Sequence, residues 1–354
     1  MKMLYIIKSI SSFIFYTVFG LYLIIHLFNL QFFCYYESYL SSMGNIKVNN
    51  SIIHVCNNPR WVKDYNNYIV SLLKYVINKH NLSINIILGH NASRYKIRGS
   101  NVFPKKQKTI NININYEHTL VTDDKNTGSK HPKSNIIFNN SSYLIRIDKI
   151  EVLRNSHILL DYCNPNVYNV KTNSHYYNLS KNHIYIAPSL YENIFINHTN
   201  RKIDSLTTFL NVFGRRKKLL DNIRKSSLKH SNINTCFTKQ NIQNLYKNTK
   251  ILINIHQNNN TNSFEELRCL PALQNGVLIV SEESPLTNVL PYNDLIIWTK
   301  YDNIVAKTKE VLNNYEEYYN KIFSKCNIHI LKNIDSNNKK DIETKILDKI
   351  KLVS

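Results

Sequence analysis

Glu265, Glu266 and Arg268 stand close together in the segment SFEELRCLPALQNGVLIVSEESP, residues 263–285. Carboxylates at such a place can accept hydrogen bonds from sugar hydroxyls, and a guanidinium can pair with a carboxylate or a phosphate. Pro271 cannot donate within a helix but fits its first turn, so a helix start is expected within 264–271. The free N–H groups of such a start favour an anion, for example a diphosphate. Glu266, on the next face, is expected to matter less than Glu265. The same spacing also fits a solvated Glu265–Arg268 pair, contributing roughly 0.2–0.5 kcal/mol.

Other candidates sit at the ends of apolar runs. Asp161 in LLDYCNPN and Glu117 in NYEHTL, beside His118, each have the position of a general base for an acceptor hydroxyl. Asp161 equally fits an Asx turn at a strand end. Arg215 and Arg216 follow an apolar run and open a basic stretch, GRRKK. They suit an anion at a helix start, or a solvated helix face. His256 ends the run KILINIH. None of the six cysteines forms a Cys-x-x-Cys pair, and Asp123-Asp124 is a lone turn-like pair, so no metal site is expected.

The elements that must position these residues can be read from periodicity. SIIHVCN, INIILGH, KTINININYEHTLV (ending at Glu117), SHILLDYC and HIYIAP read as strands. Between the first two, Ile69, Leu72, Leu73, Val76 and Ile77 recur at helical spacing. A second series holds the strands LTTFLNVFG, KILINIH, GVLIVSEE and DLIIWTK. It closes with an amphipathic helix, NIVAKTKEVLNNYEEYYNKIF. Strands alternating with helices predict an α/β fold with parallel sheets. Ligands then bind outside the carboxyl ends of the strands. Gly276 allows the tight turn into VLIVSEE. The expected organisation is a signal anchor at 1–36, α/β domains at 37–195 and 196–335, and a charged tail at 336–354.

The 354 residues carry a formal net charge of +21. The basic residues are scattered and no nucleic-acid signature is visible, so a Lys-rich surface is favoured over a nucleic-acid partner. No charged residue lies between Lys8 and Glu37. Residues of about 10–33 are long enough for one membrane span. With Lys2 and Lys8 in front of it, the expectation is a single-pass type II membrane protein, its domains beyond the membrane.

KILINIH…FEELRCLPALQNGVLIVSEES resembles the nucleotide-sugar half of GT-B glycosyltransferases. It is most like a family-1-like group found in bacteria and large DNA viruses. The matching residues are Asn254, His256, Glu265, Arg268, Leu273, Gly276, Val280, Ser281 and Glu282. LNVFGRRKKLLDNI is similar to the segment that opens the second domain of such proteins, and the resemblance spans about 51–330. It implies two Rossmann-like domains facing a cleft and transfer of a sugar from a nucleotide-sugar donor to a glycan, protein or lipid acceptor. No cofactor or metal is implied. Arg215, Arg216, His256, Glu265, Arg268, Gly276, Ser281 and Glu282 would serve the donor. One departure is Pro271, which stands where many relatives carry an acid that contacts the ribose. Two other classes remain open: an inactive GT-B-like glycan-binding or scaffold protein, and a basic nucleic-acid-binding protein.

Overall fold

The computed structural model describes residues 43–56, 62–89, 108–123, 131–147, 154–173, 176–234 and 238–352. The fold is mixed α/β. Strands β1 (Met43–Val48) and β2 (Ser51–Cys56) form a hairpin, followed by helix α1 (Lys63–Lys79) and strands β3 (Ile84–Gly89) and β4 (Lys108–Asn115). A small antiparallel insertion holds β5 (Leu120–Thr122), β6 (Lys133–Phe138) and β7 (Ser141–Ile145) in the order β5-β7-β6. After β8 (Ile158–Asp161) come helices α2 (Asn164–Lys171) and α3 (Tyr177–Ser180), then β9 (His183–Tyr185). The six-stranded sheet runs β1-β2-β3-β4-β8-β9, parallel except at β1.

Alternation in β4 explains its double burial. Ile110, Ile112 and Ile114 join the core that includes α1, while Asn111, Asn113 and Asn115 are buried on the opposite face. β4 ends at Asn115, two residues before the expected Glu117. There the Asn115 side chain accepts from the Glu117 N–H (3.2 Å) and donates to its carbonyl (2.9 Å), which turns the chain.

The second sheet takes β10 (Ile203–Thr207), helix α4 (Gly214–Lys225), β11 (His230–Asn232), helix α5 (Lys239–Lys247) and β12 (Thr249–Asn254). It continues with α6 (Glu266–Leu273), β13 (Leu278–Glu282) and β14 (Ile296–Thr299), all parallel in the order β11-β10-β12-β13-β14. The strand expected at 206–214 lies instead at Ile203–Thr207. Pro271 falls inside α6, beyond its first turn, because the helix begins at Glu266. Gly276 has φ +67°, and a Cβ there would come within 2.7 Å of Arg201 Nη2 and Tyr319 Oη. Only glycine fits so close a packing at that backbone angle.

Helices α7 (Ile304–Asn313) and α8 (Tyr315–Ile322) lead to the 28-residue helix α9 (Lys325–Leu352). Residues 336–352 of the stretch expected as a charged tail belong to this helix. Leu331 and Ile334 enter the core of the second sheet, while Ile342 and Ile346, further along the same stripe, enter that of the first. Tyr68 donates to Asp335 (2.8 Å), Asn338 donates to the Ala187 carbonyl (2.8 Å), and Lys79 pairs with Glu343 (2.9 Å).

The expectation of a single-pass type II membrane protein is corrected here. Among the described residues no helix is long and apolar enough to cross a membrane. Helix α9 has the length, but lysines and carboxylates interrupt its apolar stripe. The run at 10–33 lies outside the described residues.

Since Ile342 is fully buried in the first core, Ile342→Ala is expected to destabilise the fold by roughly 2–5 kcal/mol. Equilibrium denaturation checks this; a solvated tail would leave stability unchanged.

Candidate functional site

The carboxyl ends of β4 and β8 and those of β10, β11 and β12 open onto one cleft of about 500 Å³. That is the size range of a small-molecule site. From the first sheet it is lined by Tyr116, Glu117 and His118 after β4 and Tyr162 after β8. From the second it is lined by Thr208 after β10, Arg216 on α4, and Glu265 and Arg268 at the start of α6.

Two guanidiniums share this cleft. Arg216 is only 7% exposed and lies over the Phe209 ring, 4.7 Å from its centre. Arg268 lies 5.8 Å from the same ring centre and donates to Asn254 Oδ1 (2.8 Å). The buried Nε of Arg216 has no hydrogen-bond partner among the described residues. Burial, and then the neighbouring charge of Arg268, push the Arg216 pKa down to about 10, against the pull of Glu265. It therefore stays charged at neutral pH. A buried guanidinium N–H without an acceptor is costly, and an anion within its reach in the cleft would relieve that cost.

The acids divide by surroundings. Glu265 is the residue before α6 and its carboxylate makes no capping bond. It lies 3.7 Å from His118 Nε2, so a group of the second sheet meets one of the first across the cleft. Glu117 is half exposed and pairs with Arg146 (3.0 Å). His118 was not singled out from the sequence; its signal was its place beside Glu117 just past a strand end. Its Nδ1 is buried without a hydrogen-bond partner among the described residues.

The remaining expected residues stand behind the cleft rather than in its lining. Asp161 is fully buried and its carboxylate is saturated. It accepts from the Cys163 N–H (2.9 Å), Asn166 (3.2 Å) and Asn115 (2.7 Å), with His183 Nε2 at 3.2 Å. The Cys163 bond is the Asx turn, and with its lone pairs taken the group has no path to a bound hydroxyl. Arg215, one residue from Arg216, pairs with Glu282 (2.5 Å) and stacks on Tyr301, 4.4 Å from the ring centre. Glu282 also accepts from the His256 N–H (3.0 Å). His256 Nε2 faces the Glu283 carbonyl (3.1 Å) and Ser284 Oγ (3.2 Å), and burial, the largest influence, lowers its pKa. Ser281 is fully buried beside Asn254 (3.0 Å), and Gly276 lies beyond the far end of α6.

Glu266, expected to matter less than Glu265 for a ligand, is not part of the cleft lining. It is fully buried where the two sheets meet. Its carboxylate accepts from the Asn164 N–H at the start of α2 (2.7 Å), from Tyr185 after the same sheet's last crossover (2.5 Å), and from Tyr292 of the second unit (2.5 Å). Beside it, residues 260–262 add to the edge of β5: the Thr122 N–H donates to the Asn260 carbonyl (2.9 Å) and the Asn262 N–H to that of Leu120 (3.2 Å).

No family model matches the chain. It is 33% identical over 199 residues to "Uncharacterized protein R358" of Acanthamoeba polyphaga mimivirus, a match covering 51% of this chain. The chain spans 65% of that relative, less than two thirds of its length. Among solved structures, accessory secretory protein 1, 2 and 3 of Streptococcus pneumoniae aligns with a TM-score of 0.42 at 7% identity. The alignment covers 80% of this chain and 58% of that one; a likeness at this level carries no further argument.

Burial pushes the Glu266 pKa up from 4.5 to about 8; the Tyr185, Tyr292 and Asn164 donors oppose this and the Asp161 charge adds to it. Because the folded value is the higher one, folding takes up a proton. The stabilisation is full below about pH 4.5 and is lost as pH rises through about 8. Glu266→Gln, which has no proton to release, is expected to flatten the fall in unfolding free energy between about pH 5 and 8. Denaturation of both chains across that range checks it; parallel profiles would assign the pH dependence to another group.

Proposed function

We propose that the chain is a GT-B-type glycosyltransferase that takes its sugar from a nucleotide-sugar donor. The observation that carries this reading is the pair Arg216 and Arg268. Neither guanidinium meets a carboxylate at ion-pair distance among the described residues, and both line a cleft at the carboxyl ends of two facing sheets. The motif resemblance over 245–285 supports the same reading.

In this reading the two guanidiniums hold the donor diphosphate and stabilise the charge that grows on it as the glycosidic bond breaks. Glu265 accepts hydrogen bonds from the sugar hydroxyls. In the same reading Glu117 and His118, which line the opposite wall, handle the acceptor's proton. The acceptor is a glycan, protein or lipid hydroxyl.

A second reading, a cleft that binds such a ligand without turnover, is favoured by one observation. Pro271 lines the cleft in place of the acid that the resemblance leads one to expect. Incubation with a panel of nucleotide sugars separates the two: transfer or hydrolysis supports the enzyme, and binding without product supports the second.

Loss of a charge-assisted hydrogen bond from a dry site costs about 2–4 kcal/mol, so Arg268→Ala is expected to lower donor affinity or turnover roughly 30- to 1,000-fold. The melting temperature should hardly move. Titration calorimetry with nucleotide sugars, beside thermal unfolding, checks this; a lower melting temperature with donor binding intact would make Arg268 structural.

A further inference from the structure

Arg146, Arg215 and Arg224 each meet a carboxylate: Glu117 at 3.0 Å, Glu282 at 2.5 Å and Asp221 at 2.9 Å. Arg268 is held differently, by the neutral amide of Asn254 (2.8 Å). Asn254 ends β12, is only 2% exposed, and stands in register with Ser281 on β13. Its Nδ2 donates to Ser281 Oγ (3.0 Å), whose own proton goes to the Glu282 carbonyl (3.1 Å). Both ends of the amide are therefore fixed. A guanidinium only donates, so it must meet the amide oxygen, and the serine, its proton already used, must meet the amide nitrogen.

The choice of an amide has an electrostatic consequence. Aspartate at this position would keep the hydrogen bond but neutralise Arg268, since a buried Arg–carboxylate pair is strong and desolvated. Asparagine orients the guanidinium and leaves its charge in place. Arg216 lies against the same Phe209 ring and is buried, where Arg268 is half-buried. The site thus keeps two like charges, with Glu265 near Arg216 and with Asp64 and the Arg146-paired Glu117 elsewhere in the lining.

We propose that Asn254 is a positioning residue which aims Arg268 into the cleft with its charge unspent, for an anion of the pyrophosphate class. This rests on the glycosyltransferase reading only in taking the cleft as the anion site. Ser281 acts one step further back, by fixing the amide.

The test compares Asn254→Asp and Asn254→Ala in the full chain, titrated with inorganic pyrophosphate and with uridine diphosphate. Alanine removes the orienting contact and leaves the charge; aspartate keeps the contact and consumes the charge. Affinity is expected to fall roughly tenfold or more in the aspartate variant, with a shallower salt dependence, and by less in the alanine variant. The melting temperature of the aspartate variant should be unchanged or raised. Native binding with an unimpaired aspartate variant would overturn the inference alone. So would equal losses in both variants accompanied by a lower melting temperature, the signature of a structural role. Absence of binding to the native chain would overturn the functional reading, and the inference with it.

Discussion

The carboxylate of Glu266 is the interaction on which the site depends. It sits at the first residue of α6, fully buried, and takes donors from both α/β units. Burial disfavours its ionised form and the three donors offset that only in part, so its pKa stays raised to about 8. The geometric result matters more than the energy. With Glu266 anchored to the start of α2, the first turn of α6 has one orientation toward the first sheet. Glu265 and Arg268, on either side of it, are thereby turned into the cleft.

Two further connections hold the cleft walls in place. Residues 260–262 extend the small sheet at β5, so a loop of the second unit is fixed by backbone bonds to the first. At the other side, α9 gives Leu331 and Ile334 to one core and Ile342 and Ile346 to the other. One continuous helix thus couples the two cores. A pocket whose groups come from both sheets requires such coupling, because small displacements of one unit would separate His118 from Glu265.

Within the cleft the balance of charge is unusual for a protein interior. Arg146 and Arg215 are matched by carboxylates and the buried Arg201 by backbone carbonyls, whereas Arg216 and Arg268 rest on an aromatic face and an amide. Aromatic contact solvates a guanidinium without cancelling its charge. The two guanidiniums thus keep their own positive potential in a site that is walled by Tyr65, Tyr116, Tyr162 and Tyr246 and that also holds Asp64, Glu117 and Glu265. Low-dielectric walls strengthen that potential toward an incoming anion.

Local patterning determined the larger features. The apolar runs at β3, β12 and β13 were legible as buried parallel strands, the Ile/Asn alternation marked β4, and the periodicity of 69–77 marked α1. Arg268 and Glu265 were legible as cleft residues because they follow the apolar strand KILINIH at a helix start. What the sequence left open was which of two neighbours does what. Arg215 and Arg216 are adjacent, yet one is tied to Glu282 and Tyr301 while the other faces the cleft. Glu265 and Glu266 divide in the same way. Successive helical residues diverge by about 100°, so the face each one meets is set by whatever packs against the helix. For Glu266 those partners are Asn164 and Tyr185, 102 and 81 positions earlier in the chain. For Asp161 they are Asn115 and His183, which turned a strand-end acid with the position of a base into a saturated turn. Spacing along the chain fixes the period of an element, and only tertiary contact fixes its rotation.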